Sequence, residues 1–142
     1  MKIILTAIIV FIFFNANAQE KFLDNPENAR KLSIKTTQLF KENKVTAFFE
    51  NIKQYWPLPE NEINSLESQT IKSLNIVEER FGQSIGIEKI KEETIKDFAI
   101  REIYIIRYEN HAIRLIYTYY KNNNGWILNS FKWDDSYFEE FK

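Results

Sequence analysis

Few residues in this chain could do chemistry, and they are scattered. His111 is the only histidine among 142 residues. A general base needs a partner carboxylate and a place in a cavity. One unaccompanied histidine makes neither a triad nor a metal site, so beside Glu109-Asn110 it reads as a turn residue. Cysteine is absent, which removes disulfides, thiolate metal ligands and lipid attachment through an N-terminal cysteine. No serine sits in a nucleophile elbow, and no glycine-rich phosphate loop occurs. Asp134-Asp135 with Glu139-Glu140 lack the loop spacing that calcium takes, so they read as an acidic, solvated tail. No cofactor and no metal are expected.

Arginine offers more. Arg101, Arg107 and Arg114 fall in strand-like runs. A guanidinium on a mostly apolar face could hold a carboxylate or phosphate through paired hydrogen bonds, or stack on an aromatic ring, or snorkel to solvent. Tyr117, Tyr119 and Tyr120 with Trp126 could stack a sugar or base, although strand aromatics more often fill a core or a dimer contact.

The elements that must position these groups centre on Phe98–Asp135. Ile100–Tyr108, His111–Lys121 and Trp126–Trp133 are rich in β-branched and aromatic residues. Glu109-Asn110 and Asn122-Asn123-Asn124-Gly125 separate them, and Asn and Gly enter left-handed backbone space cheaply. Consecutive runs joined by short turns should pair antiparallel. A two-residue first turn sets Tyr108 opposite His111, and a four-residue second loop sets Lys121 opposite Trp126. One face then carries Ile100, Glu102, Tyr104, Ile106, Tyr108, His111, Ile113, Leu115, Tyr117, Tyr119, Trp126, Leu128, Ser130 and Lys132. The other carries the three arginines with Ile103, Ile105, Ala112, Ile116, Thr118, Ile127, Asn129, Phe131 and Trp133. Arg114 stands opposite Trp133 in this register. The first face should be covered by helices, and the arginine face left for a ligand or partner.

Upstream, Asp24-Asn25-Pro26 starts a helix. Ala29, Leu32, Thr36, Leu39 and Phe40 follow at helical spacing. Lys41–Lys44 breaks it. Val45, Phe48, Phe49, Ile52, Tyr55 and Trp56 form a second stripe, stopped at Pro57. A third helix begins near Pro59-Glu60, carries Ile63, Leu66, Thr70, Leu74, Val77 and Phe81, and ends at Gly82. Ile87–Ile95, studded with charge, suits an edge strand. Helices followed by an antiparallel sheet make an α+β domain with N-terminal helices packed on the sheet.

With 44% hydrophobic and 27% charged residues, the composition is that of one globular domain rather than a disordered chain. A net charge of −1 argues against nucleic acid. Residues 1–18 read as a signal peptide: Lys2, the apolar run Ile3–Phe14, and Ala16-Asn17-Ala18 before Gln19. The run is short for a membrane span. Residues 19–142 are then the mature domain, secreted or periplasmic in a bacterium, with no membrane span after cleavage.

Three helices, the Trp56-Pro57-Leu58 join, Phe81-Gly82 and a closing meander with Gly125-Trp126 resemble the NTF2-like α+β cone, over roughly 27–135. More narrowly the chain is similar to small exported bacterial domains of uncharacterised function, of the DUF3887 type. The resemblance implies a curved sheet closing on a helix around a central cavity. It implies no activity, because this fold hosts enzymes, binders and dimerisation modules. Enzymes of similar fold place Asp, His or Tyr inside the cone, and no such set stands out in the sequence. The expected function is therefore a non-enzymatic binding or interaction domain. Its partner would be a small or apolar ligand, or a second copy paired through the sheet. Arg114, Trp133, Tyr104 and Arg107 are the candidate ligand residues. The alternatives are an isomerase- or hydrolase-type enzyme and a purely structural dimerisation module.

Overall fold

The computed structural model describes residues 21–142. The expected signal peptide, residues 1–18, lies outside them. Helix α1, Pro26–Lys41, opens on Asn25, whose side chain accepts the Asn28 N–H at 2.9 Å, with Pro26 in its first turn. Ala29, Leu32, Ser33, Thr36, Thr37 and Phe40 form its buried side. Asn43, at φ 57°, makes the break before α2, Val45–Ile52, because Asn tolerates left-handed backbone. A single 3-10 turn, Lys53–Tyr55, leads into Trp56-Pro57. Helix α3, Glu60–Phe81, stops at Gly82, where φ is 86° and a Cβ would stand 2.8 Å from Glu109 Oε2. Glycine is needed there for both backbone and space.

Four strands follow: β1 Ser84–Ile95, β2 Ala99–Tyr108, β3 Ala112–Lys121 and β4 Trp126–Asp134. They form one curved antiparallel sheet in sequence order, so β1 and β4 are its edges. The edge strand begins at Ser84 rather than Ile87. A last 3-10 turn, Tyr137–Glu140, closes the chain.

The β2–β3 register is the expected one, with Ile100 opposite Tyr119 and Arg107 opposite Ala112. The β3–β4 register starts as expected, with Lys121 opposite Trp126 and Tyr119 opposite Leu128, and then slips. Thr118 pairs with Ser130, so Asn129 is an extra, bulged residue. Every side chain after a one-residue slip changes face. This corrects the expected faces: Phe131 and Trp133 join the helix-covered side, and Ser130 and Lys132 leave it. Trp133 stands opposite Leu115, and Arg114 stands opposite Asp134.

The concave side packs on the helices. Phe131 lies 4.8 Å from Phe48 and Trp133 lies 5.4 Å from Phe40, centroid to centroid. Tyr117, Tyr119, Leu115, Ile106, Ile113 and Leu128 are fully buried. The lead-in before α1 is not loose at Leu23, which is buried and exchanges two 2.9 Å main-chain hydrogen bonds with Trp126 on the outer edge of β4. Among the described residues no helix is long and apolar enough to cross a membrane.

Candidate functional site

The centre of the cone is filled, and part of the filling is polar. Glu102 is fully buried on the concave face, where strand alternation puts it. It accepts from Ser33 Oγ at 2.9 Å and from Tyr104 Oη at 3.1 Å, and it pairs with Lys89 Nζ at 2.7 Å. Ser33 also meets Tyr119 Oη at 2.6 Å, and Tyr117 Oη meets Thr36 and Thr37 at 2.9 Å each. Helix α1 thus answers the Tyr117 and Tyr119 hydroxyls with hydroxyls of its own. Among the described residues no buried side-chain polar atom lacks a partner.

Burial, chiefly, pushes the Tyr104, Tyr117 and Tyr119 hydroxyls well above the usual phenol range, so they remain protonated. Lys89 enters from the edge strand. Burial lowers its pKa, but the hydrogen bonds Lys89 donates to Glu102 and Glu92, with the charge of those carboxylates, outweigh this and raise it. Hydrogen bonds from Arg30 lead in holding Glu92 down to about 2; Lys89 adds to them, and burial opposes both. Arg30, Glu92 and Lys89 close the cone between α1 and β1 over Glu102.

The concavity beside Trp133 lies elsewhere. A groove of about 610 Å³ runs between α3 and β4. Phe49, Trp56, Val77, Phe81, Phe131 and Trp133 give it an aromatic and aliphatic lining, with Leu66 and Ile76 exposed along the α3 wall. Thr70 Oγ1 accepts from the Trp133 indole N–H at 3.4 Å, which fixes the ring against α3. Gln69, Ser73 and Arg80 on α3, and Lys132, Asp134 and Asp135 at the end of β4, add polar groups around this apolar floor, a mixture found in small-molecule pockets. A second hollow, of about 630 Å³, lies around Trp56-Pro57-Leu58 and Lys53.

Of the candidate ligand residues, Trp133 lines the groove and Tyr104 lies inside the cone. Arg107 and Arg114 are on the opposite, convex face with Arg101, so the four do not converge. Arg114 is buried and spends four hydrogen bonds on Asp134, Glu139 and Glu140, at 2.7–3.1 Å. The tail read as solvated is thereby clamped onto the sheet, and Glu140, also paired with Lys91 at 3.0 Å, is the most enclosed of the three carboxylates. Arg107 is half exposed, 3.9 Å from Glu88. His111 is wedged between Phe81 and Tyr137, with Nε2 3.1 Å from the Asp135 carbonyl, and so helps hold the same tail. Among the described residues no cluster of His and acidic side chains could hold a metal ion.

Comparison with known proteins rests on shape. No family model matches the chain, and no curated protein matches it. A solved structure from Campylobacter jejuni, assigned as an NTF2-like transpeptidase, superposes with a TM-score of 0.51 at 13% identity, covering 72% of this chain and 98% of its own. A structure from Thiobacillus denitrificans, assigned as a calcium/calmodulin-dependent protein kinase type II association domain, gives 0.49 at 12% identity, covering 80% and 97%. Helices packed in a curved four-stranded antiparallel sheet, with the first of those superpositions, give this chain the NTF2-like fold.

Proposed function

We propose that this protein is an exported, non-enzymatic binding domain that takes an apolar ligand in the groove between α3 and β4. The groove itself carries the reading: about 610 Å³, floored by Phe131 and Trp133 and walled by an α3 face that leaves Leu66 and Ile76 exposed. An apolar hollow with a few polar groups is the usual form of a ligand site. The non-enzymatic part is supported by the state of Glu102, whose oxygens are taken by Lys89, Ser33 and Tyr104. A carboxylate fully buried and held by three partners offers no exposed oxygen to a substrate proton.

The test is direct. Phenylnaphthylamine, an uncharged dye that brightens in apolar surroundings, should bind the mature chain, and Trp133→Ala should weaken it by about tenfold or more. Equal affinity in both proteins would remove the groove as the site. Export is checked by sequencing the protein recovered from its native envelope, which should begin at Gln19.

A second reading is acid–base chemistry at Glu102, favoured by the 3.1 Å contact between its carboxylate and the protonated Tyr104 hydroxyl. It requires a substrate to displace Lys89. Turnover of any substrate that is lost in Glu102→Gln while the groove variant keeps it would select this reading.

A further inference from the structure

The outer edge of β4 narrows the class of ligand. Main-chain groups of an antiparallel strand alternate between its two sides. On β3, Lys121 donates to the Phe98 carbonyl at 2.7 Å, and the His111 carbonyl just before it accepts from Tyr108 at 2.9 Å, both on the β2 side. The odd-numbered residues of β3 therefore bond to β2 and the even-numbered ones to β4. Their partners are Ile127, Ser130, Lys132 and Asp134. That leaves the main chain of Trp126, Leu128, Phe131 and Trp133 facing away from the sheet.

At Trp126 this outward side is already used, by the two hydrogen bonds to Leu23. The edge thus accepts an extended segment, and does so within this chain. Past the Asn129 bulge no strand among the described residues takes Phe131 and Trp133, and the apolar groove runs beside them. Leu66, Thr70, Ser73, Val77 and Arg80 line it along about 21 Å of helix, and Phe131–Asp135 line it along about 14 Å of extended chain. The opposite edge is guarded: β1 carries Lys89, Lys91, Glu92 and Glu93 and two register irregularities. The open part of β4 has two charges, Lys132 and Asp134; the bulge sends both side chains to the convex face, where Asp134 is taken by Arg114.

Building on the groove reading above, we propose that the ligand is an extended polypeptide segment of alternating apolar and polar residues, added as a strand on β4. Its main chain pairs with Phe131 and Trp133 in continuation of the Leu23 bridge. Every second side chain lies on the floor made by Trp133, Phe131 and Val77, and the others face solvent. A peptide is told from a free apolar molecule by its main-chain donors.

The experiment follows amide hydrogen exchange of the mature chain with an acetylated, amidated peptide of alternating Val and Thr, about seven residues long. The same peptide N-methylated at alternate residues, and phenylnaphthylamine, run alongside. The unmodified peptide should displace the dye and slow exchange of the Phe131 and Trp133 amides by about tenfold; the N-methylated peptide should do neither. Equal binding by both peptides, or dye binding without peptide binding, overturns strand addition and leaves the apolar groove standing. Binding of neither dye nor peptide overturns the groove reading and this proposal with it.

Discussion

Replacing Glu102 by leucine tests whether the polar cluster holds the cone shut. Three groups lose a partner, but unequally. Ser33 keeps the Ala29 carbonyl at 3.2 Å and Tyr119 at 2.6 Å. Lys89 keeps Glu92 at 3.0 Å and its side chain is 33% exposed, so screening makes its share small. Tyr104 is buried and, among the described residues, keeps no other hydrogen-bond partner. An orphaned buried hydroxyl costs about 1–3 kcal/mol, so Glu102→Leu should cost about 2–3 kcal/mol in all. Adding Tyr104→Phe removes the orphan together with its acceptor. The double variant should then sit only about 1 kcal/mol below wild type, a recovery of about 1–2 kcal/mol over Glu102→Leu alone. Urea unfolding reads this as a midpoint shift of about 1 M for Glu102→Leu, at a slope of about 2 kcal/mol/M, with partial recovery in the double variant. Simple addition of the two losses, or a Glu102→Leu midpoint equal to wild type, would refute the reasoning.

Other expectations follow from single contacts. Arg114→Met should release the Tyr137–Glu140 turn and cost about 2 kcal/mol, discounted because two of the three carboxylates are well exposed; faster amide exchange at Tyr137–Phe141 is the check, and unchanged protection there would contradict the clamp. Glu92 is held down to about 2 in the fold, so its contribution is full above pH 4.5 and is lost as pH falls toward 2. Glu92→Gln should flatten that acid limb of the stability curve by about 1–2 kcal/mol after allowance for screening, and an unchanged limb would show the Arg30 contact to be idle. Gly82→Ala should lose about 1–2 kcal/mol from the positive φ alone, and more if Glu109 cannot move aside; a thermal melt measures it, and an unaltered midpoint would argue against the strained turn.

The sequence carried the helix ends, the β2–β3 register and the composition of most of the concave face, because caps, turn residues and period-two alternation are local signals. Asn25-Pro26, Gly82 and the Asn-rich loop before Gly125 each stand where the pattern put them. The Asn129 bulge left no such mark. It moved Phe131 and Trp133 to the other face and separated Trp133 from Arg114. Arg114 itself was visible as a charge in an apolar run, but its partners come from a tail whose acids resemble any solvated tail until the chain folds back. Glu102 had a readable signal, a lone carboxylate on an otherwise apolar face. What could not be read was its company, since Ser33 lies on a helix 69 residues away in sequence.

The central claim is that ligand enters against Trp133. In a nitrogen-15-labelled mature chain, the Trp133 indole N–H resonance should shift on titration with phenylnaphthylamine as the 3.4 Å contact to Thr70 is disturbed, while the buried Trp126 indole, outside the groove, should stay in place. Saturable movement of Trp133 alone, or of Trp133 with its groove neighbour Trp56, is the predicted result. A stationary Trp133 resonance in the presence of bound dye would contradict the account.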